Sequence, residues 1–169
     1  MNQAIKWGVF TGTIVTIWLF GGYSILTSIS LNLPKVTLRT LTGLLGLVIL
    51  FIGVFCGMKA AKAKISGDGF SYFVAFKSGF IVAVIVAIIV SLVSFLYVQL
   101  INPHLPDDMV KEAETSLKTS GATTEEISRK LSAVRKEFSA QAQLIAPLIV
   151  QTVAGSIFSL ILAFLLKKK

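Results

Sequence analysis

Residues 38–58 read LRTLTGLLGLVILFIGVFCGM, and this stretch decides the class of the protein. Arg39, beside its start, is the one charged side chain in these 21 residues, and Lys59, Lys62 and Lys64 follow at once. A helix needs about 20 predominantly apolar residues to cross a hydrocarbon layer of roughly 30 Å. The stretch therefore predicts a membrane-spanning helix with basic residues at one end.

Three more apolar stretches of similar length occur at residues 7–29, 73–101 and 145–166. The first is longer than the apolar core of about 7–15 residues in a secretory signal. A retained helix is therefore expected there, although Ser28-Ile29-Ser30 resembles a weak cleavage pattern. The four spans predict an all-α membrane protein, with residues 1–169 as a single integral membrane domain.

The composition agrees with a surface that faces lipid. Only 14% of the residues are charged and 54% are hydrophobic, whereas soluble domains usually carry about 25% charged residues. The net charge is +8, but the basic residues cluster at the ends of apolar stretches rather than in one patch. This distribution sets orientation in a membrane and argues against nucleic acid as a partner.

The basic residues bear on which side of the membrane each segment lies. If the segment after the second span is cytoplasmic, eight basic residues lie on that side and eight on the other. Six of the second group fall in residues 102–144, where seven acidic residues accompany them. Short basic segments stay in the cytoplasm, and longer segments cross with less regard to charge. We therefore expect a multi-pass protein of the cell inner (cytoplasmic) membrane with both termini in the cytoplasm.

Residues 102–144, between the third and fourth spans, are expected to form an extracytoplasmic helical hairpin. Asp107 and Asp108 suit the first turn of a helix, and Gly121 is placed to end it. Thr123 with Glu126 matches a capping box for a second helix. Apolar residues at helical spacing give each helix one apolar stripe: Met109, Ala113 and Leu117 on the first, and Ile127, Leu131, Val134 and Phe138 on the second.

Every span carries small residues at four-residue spacing, which let helix backbones approach closely in lipid. These rows predict a compact four-helix bundle with packing inside the chain, and the alternative is that a row forms a dimer face. The predicted packing residues are Gly8, Gly12, Gly53, Gly57, Gly79, Ala83, Ala87, Gly155 and Ser159.

The basic residues around the second and third spans have two interpretations. An aromatic stretch that begins at Phe70 reads as an interfacial belt, with the Lys77 ammonium reaching towards the headgroups. The alternative is a lipid-headgroup site made by Lys59, Lys62, Lys64 and Lys77.

No catalytic, cofactor or metal site is predicted. The single cysteine, Cys56, and the single histidine, His104, are far apart in sequence and form a poor nucleophile–base pair. Asp107 and Asp108 are adjacent, so they do not share a helix face. Ion-coupled carriers keep an ionisable residue within the membrane, and the interiors of the four spans hold none.

The expected function is that of a non-enzymatic structural or accessory interaction protein, whose partners are the lipid bilayer and another membrane protein or a second copy. A small transporter or channel subunit is the alternative, because polar side chains within the spans would be able to line a pore in an oligomer: Thr11, Thr13, Thr16, Ser91, Ser94, Tyr97, Gln99, Gln151, Thr152 and Ser156. Hydrogen bonds between helices explain these side chains equally well. A membrane-embedded enzyme acting on lipid is the least favoured hypothesis.

Three segments carry a resemblance to a known family: AFKSG at residues 75–79, GATTEEI at residues 121–127, and GSIFSLILAFLLKKK at residues 155–169. Through them the chain resembles, over nearly its whole length, the bacterial domain-of-unknown-function 4199 family. The resemblance implies a four-helix membrane protein of uncharacterised activity, and it supplies no catalytic residues.

Overall fold

The computed structural model describes residues 2–29, 35–65 and 70–166. Within these ranges the chain is almost entirely helical and contains no strand. It forms two compact units, one of Met1–Val90 with Leu148–Lys169 and the other of Ser91–Pro147. Residues 66–69, whose sequence Ser-Gly-Asp-Gly predicts a turn, and the lysines at residues 167–169 lie outside the described residues.

Seven α-helices are assigned within the described ranges, and two of them continue into a π-helical turn, at Trp18–Gly22 and at Tyr97–Ile101. The α-helices are α1 Asn2–Ile17, α2 Tyr23–Ser28, α3 Lys35–Lys62, α4 Tyr72–Leu96, α5 Leu105–Thr119, α6 Thr124–Glu137 and α7 Ala140–Leu166.

Four helical stretches are long and apolar enough to cross a membrane, as predicted: Asn2–Gly22, Thr40–Lys62, Tyr72–Ile101 and Ala140–Leu166. Their ends differ from the predicted spans by several residues, most clearly where α1 begins at residue 2 and α7 at residue 140. The reason is that the length of an apolar run indicates only how many residues of a helix are suited to lipid, and not where the helix begins or ends. Polar residues beside the run extend the same helix without weakening its backbone hydrogen bonds.

The core of the first unit takes side chains from all four long helices, and many of them are small or branched. Val15 on α1, Val54 on α3, Val86 on α4 and Ala163 on α7 are fully buried. Large apolar side chains cover the outer faces of the same helices, including Val48, Ile52, Val153, Ile157 and Phe164, each at least half exposed. The first unit is therefore as apolar outside as inside.

A tryptophan links the end of the first span to α3. The Trp18 indole N–H donates a hydrogen bond to the Thr42 carbonyl over 3.0 Å. The ring also lies against Gly22, where an added Cβ would be 2.9 Å from Trp18 Cδ2. The absence of a side chain at Gly22 leaves room for the indole beside the π-helical turn.

The second unit contains α5 and α6, and its local signals are those that the sequence predicted. Asp107 and Asp108 occupy the first turn of α5. Gly121, two residues after the last residue of α5, has a positive φ of 73°, which is a conformation typical of helix ends. The capping box is confirmed, because the Glu126 N–H donates to Thr123 Oγ1 and the Thr123 N–H donates to Glu126 Oε2.

The two helices of the second unit pack along their apolar stripes. Met109 is buried, and the other stripe residues of both helices are half-buried. Arg135 Nη2 donates to Asp107 Oδ1 over 2.8 Å, which brings the last turn of α6 beside the first turn of α5. Both side chains are more than half exposed, so this ion pair contributes at most about 1 kcal/mol.

Candidate functional site

A cleft of about 490 Å³ opens at the end of the first unit where α1 begins, α3 ends and α4 begins. Each of these helix ends supplies one lysine: Lys6 from α1, Lys64 from the turn after α3, and Lys77 from α4. Neutral polar and apolar residues complete the lining: Asn2, Gln3, Ala4, Ala61, Ile65, Val74, Ser78 and Ile81.

The helical spacing of the sequence explains why these side chains share one cavity. Val74, Lys77, Ser78 and Ile81 recur at intervals of three and four, so they project from one face of α4. Ala61 lies in the last turn of α3, and Lys64 follows three residues later, in the turn after the helix. Ser78 Oγ is itself satisfied, because it donates to the Val74 carbonyl over 2.9 Å.

The cleft is strongly cationic. Its described lining contains three lysines and no carboxylate, a formal charge of +3. Asp68 is the one acidic residue among residues 1–101 of the sequence, and it lies outside the described residues. All three lysines are exposed. The cleft therefore presents three solvated ammonium groups, and no described carboxylate in its lining neutralises them.

The structure separates the four lysines that the sequence grouped as candidate headgroup contacts. Lys64 and Lys77 line the cleft, whereas Lys62 Nζ donates a hydrogen bond to the Leu166 carbonyl over 2.7 Å at the end of α7. A cation at that position satisfies a terminal carbonyl and complements the helix dipole. Lys59 Nζ lies 5.9 Å from the centroid of the Phe55 ring.

Sequence reasoning missed the part that Lys6 takes in this cleft. The sequence predicts Lys6 only as one of the eight basic residues on the cytoplasmic side. The order of the spans does contain this information. If consecutive spans cross the membrane in alternate directions, the start of the first span, the end of the second and the start of the third lie on one side. That rule brings Lys6 to the end that holds Lys64 and Lys77, together with Asn2 and Gln3.

The predicted small residues of α1 face α4. A Cβ added at Gly8 would lie 2.8 Å from Ile85 Cβ, and one at Gly12 would lie 2.8 Å from Ile89 Cδ1. Real Cβ atoms essentially never approach another atom so closely. Both glycines therefore give the isoleucines of α4 the space that a side chain would fill.

The small residues of the other three spans also lie in contacts between helices. A Cβ at Gly53 would overlap Thr11 on α1, and one at Gly57 would lie 2.6 Å from Val82 Cγ2 on α4. Gly79 of α4 lies against Ser159 of α7, where an added Cβ would be 2.5 Å from the hydroxyl oxygen. Gly155 of α7 lies against Ala83 of α4, where an added Cβ would overlap the Ala83 Cβ. Ala87 is fully buried.

The residues considered for chemistry belong to different units of the chain. Cys56 is half-buried in α3, whereas His104 is an exposed residue that precedes α5. Asp107 is paired with Arg135 in the second unit. Among the residues that the structure describes, no group of three or more His, Cys, Asp or Glu side chains is arranged to hold a metal ion.

Comparison with known proteins places the chain in a family without assigning an activity. No curated protein and no solved structure matches it. A family model described as "Protein of unknown function (DUF4199)" matches residues 6–168. That range runs from Lys6 of the cleft to the end of α7 and beyond, so it takes in both compact units. The chain belongs to the DUF4199 family of proteins of unknown function.

Proposed function

We propose that this chain is a multi-pass integral membrane protein that acts by packing against other membrane components, as a non-enzymatic structural or accessory subunit. The observation that carries the proposal is the apolar exterior of the first unit, whose helices expose large apolar side chains while small residues lie in the contacts between them. In water, such a surface would cost about 25 cal/mol for each Å² of apolar area. In lipid it costs nothing, and close contact between small residues holds the helices together.

The polar groups of the spans support a structural role over a transport role. Hydroxyls donate to carbonyls of their own helix four residues earlier: Thr42 to Leu38, Ser156 to Thr152, and Ser159 to Gly155. A hydroxyl bonded in this way has its proton committed to the backbone, so it has less to offer a passing ion or solute.

One observation favours the alternative of a transporter or channel subunit. Gln151 Oε1 and Thr16 Oγ1 are buried and have no hydrogen-bond partner among the described atoms. A buried amide oxygen without a partner costs about 1–3 kcal/mol. A water or a solute at Gln151 would remove that cost.

Purification in polymer-bounded native membrane discs, without detergent, tests the choice between these functions. The structural role predicts a particle that contains this chain with another membrane protein, or with a second copy, at fixed stoichiometry. The purified protein in liposomes should give no ion or solute flux above that of empty liposomes. Recovery of a lone single copy would contradict the proposal, and so would a flux that Gln151→Leu abolishes while the fold stays intact.

We further propose that α5 and α6 form an antiparallel hairpin on the extracytoplasmic side, with both termini in the cytoplasm. The Asp107–Arg135 pair between opposite helix ends supports the hairpin. The shared cleft supports the placement of Lys6, Lys64 and Lys77 on one side, since these helix ends lie together.

Labelling of single cysteines checks this orientation. Cys56 is the only cysteine, so Cys56→Ala gives a cysteine-free background. On it, Lys118→Cys in α5 should react with a membrane-impermeant maleimide in intact cells. Ser71→Cys, an exposed position before α4, should react only after permeabilisation. The reverse pattern would overturn the orientation.

A further inference from the structure

The cleft between the ends of α1, α3 and α4 has the composition of an anion site. Three helices each place one lysine around a cavity of about 490 Å³. This volume lies in the range of small-molecule sites, roughly 300–1,000 Å³. No carboxylate among the described lining residues neutralises the three ammonium groups, and a bound anion would do so.

We propose that this cleft binds a phosphate group, presented either by a phospholipid headgroup or by a soluble phosphate. The site consists of Lys6, Lys64 and Lys77, with the side-chain amides of Asn2 and Gln3 as neutral donors. The inference does not rest on the structural role proposed above, because a phosphate site is compatible with either function considered there.

Phosphate fits the lining better than a carboxylate does. A phosphate offers several strong acceptor oxygens, and lysine binds it as a point charge with three donors. Three ammonium groups that approach from three helices are able to engage separate oxygens. A carboxylate carries a single charge on two oxygens, and so does the phosphodiester of phosphatidylglycerol. Inorganic phosphate or a phosphomonoester carries more charge on more oxygens, and so it matches the +3 lining most closely.

The apolar part of the lining bears on the source of the phosphate. Ile65, Val74 and Ile81 share the cleft with the lysines. A phospholipid presents the same sequence of chemistry, with a charged phosphate next to glycerol and the first acyl carbons. Inorganic phosphate would use only the lysines, so the two sources differ in whether the apolar side contributes.

Binding is tested on the full-length protein in neutral detergent, by native mass spectrometry with added phosphatidylglycerol and by calorimetry with inorganic phosphate. The variant Lys6→Gln/Lys64→Gln/Lys77→Gln should bind about 10- to 100-fold more weakly to whichever probe the unaltered protein binds more tightly. Each exposed ion pair accounts for at most a few-fold in affinity, and the variant removes three of them. Raising the ionic strength should weaken binding to the unaltered protein as well.

A matched variant separates a site from general charge. Lys111→Gln/Lys130→Gln/Lys136→Gln also removes three positive charges, but from exposed positions of the second unit. This variant should bind as tightly as the unaltered protein. Replacement of the three cleft lysines by arginine should preserve most of the binding. If the triple glutamine variant fails to fold, Lys77→Gln alone should still weaken binding several-fold.

The outcomes distinguish the sources and the proposal itself. Binding of phosphatidylglycerol that inorganic phosphate does not displace identifies a lipid site, and binding of inorganic phosphate alone identifies a soluble ligand. Absence of binding by both probes would overturn the proposal. Equal loss of binding in the cleft variant and in the second-unit variant would also overturn it, because general charge would then explain the effect.

Discussion

Gly155→Leu is expected to destabilise the protein by about 3 kcal/mol, the upper end of the usual cost of overpacking. The reason is the atom that the new side chain meets. A Cβ at residue 155 would overlap Ala83 Cβ and would lie 3.4 Å from Ala83 Cα. Neither atom moves by a change of rotamer, so α7 and α4 have to separate along their contact.

The control for this prediction is the same substitution at a glycine that faces no neighbour. Gly43 of α3 is exposed and has no atom within 4 Å of an added Cβ. Gly43→Leu should change the unfolding free energy by less than about 0.5 kcal/mol. Detergent-solubilised protein unfolded by heat, or by increasing sodium dodecyl sulfate, reports both changes. Equal midpoints for the two variants would show that the close contact at Gly155 does not support the bundle.

Phe70→Ala is expected to cost about 3–5 kcal/mol, as is usual when a buried aromatic side chain is removed. Phe70 is only 1% exposed and belongs to the core of the first unit. Its ring also lies 5.9 Å from Lys62 Nζ, the group that donates to the carbonyl at the end of α7. Its removal therefore leaves a cavity and withdraws a cation–π contact from that lysine.

Phe73 supplies the matched control, since it lies three residues away in the same aromatic stretch and is 69% exposed. Phe73→Ala should shift the unfolding midpoint little, because no protein contact of comparable size is lost. Both variants lose an aromatic ring, but only one of the rings is buried. A difference between their unfolding midpoints in one detergent therefore reports the effect of burial. Similar losses in both would mean that interfacial anchoring, rather than core packing, accounts for the effect at Phe70.

The burial of these two phenylalanines is a feature that the sequence alone does not predict. A single interfacial belt was expected from Phe70 onwards, because aromatic residues beside a lysine at the start of a span have that character. The structure puts Phe70 inside and Phe73 outside. Phe70 precedes α4 and lies near Lys62 of α3, whereas Phe73 lies in the first turn of α4. Which of the two rings is buried depends on contacts between segments, and residue type carries no information on those contacts.

The candidate site was predictable in part for a related reason. Lys64 and Lys77 stood out because they flank apolar runs, and both line the cleft. Lys62 has the same sequence character, yet it lies beside the Leu166 carbonyl, more than a hundred residues along the chain. Lys6 joins the cleft although nearly sixty residues separate it from Lys64. Such contacts depend on which helix ends meet.

The sequence by itself determined the helical class, the four apolar stretches and the capping box at Thr123, because each follows from residues within one or two turns. Hydropathy is a sum over neighbours along the chain, so a linear reading recovers it. Only the tertiary structure decided which glycine meets which side chain and which lysines surround the cleft. Those features need two or three helices at a definite rotation, which close packing of distant segments selects.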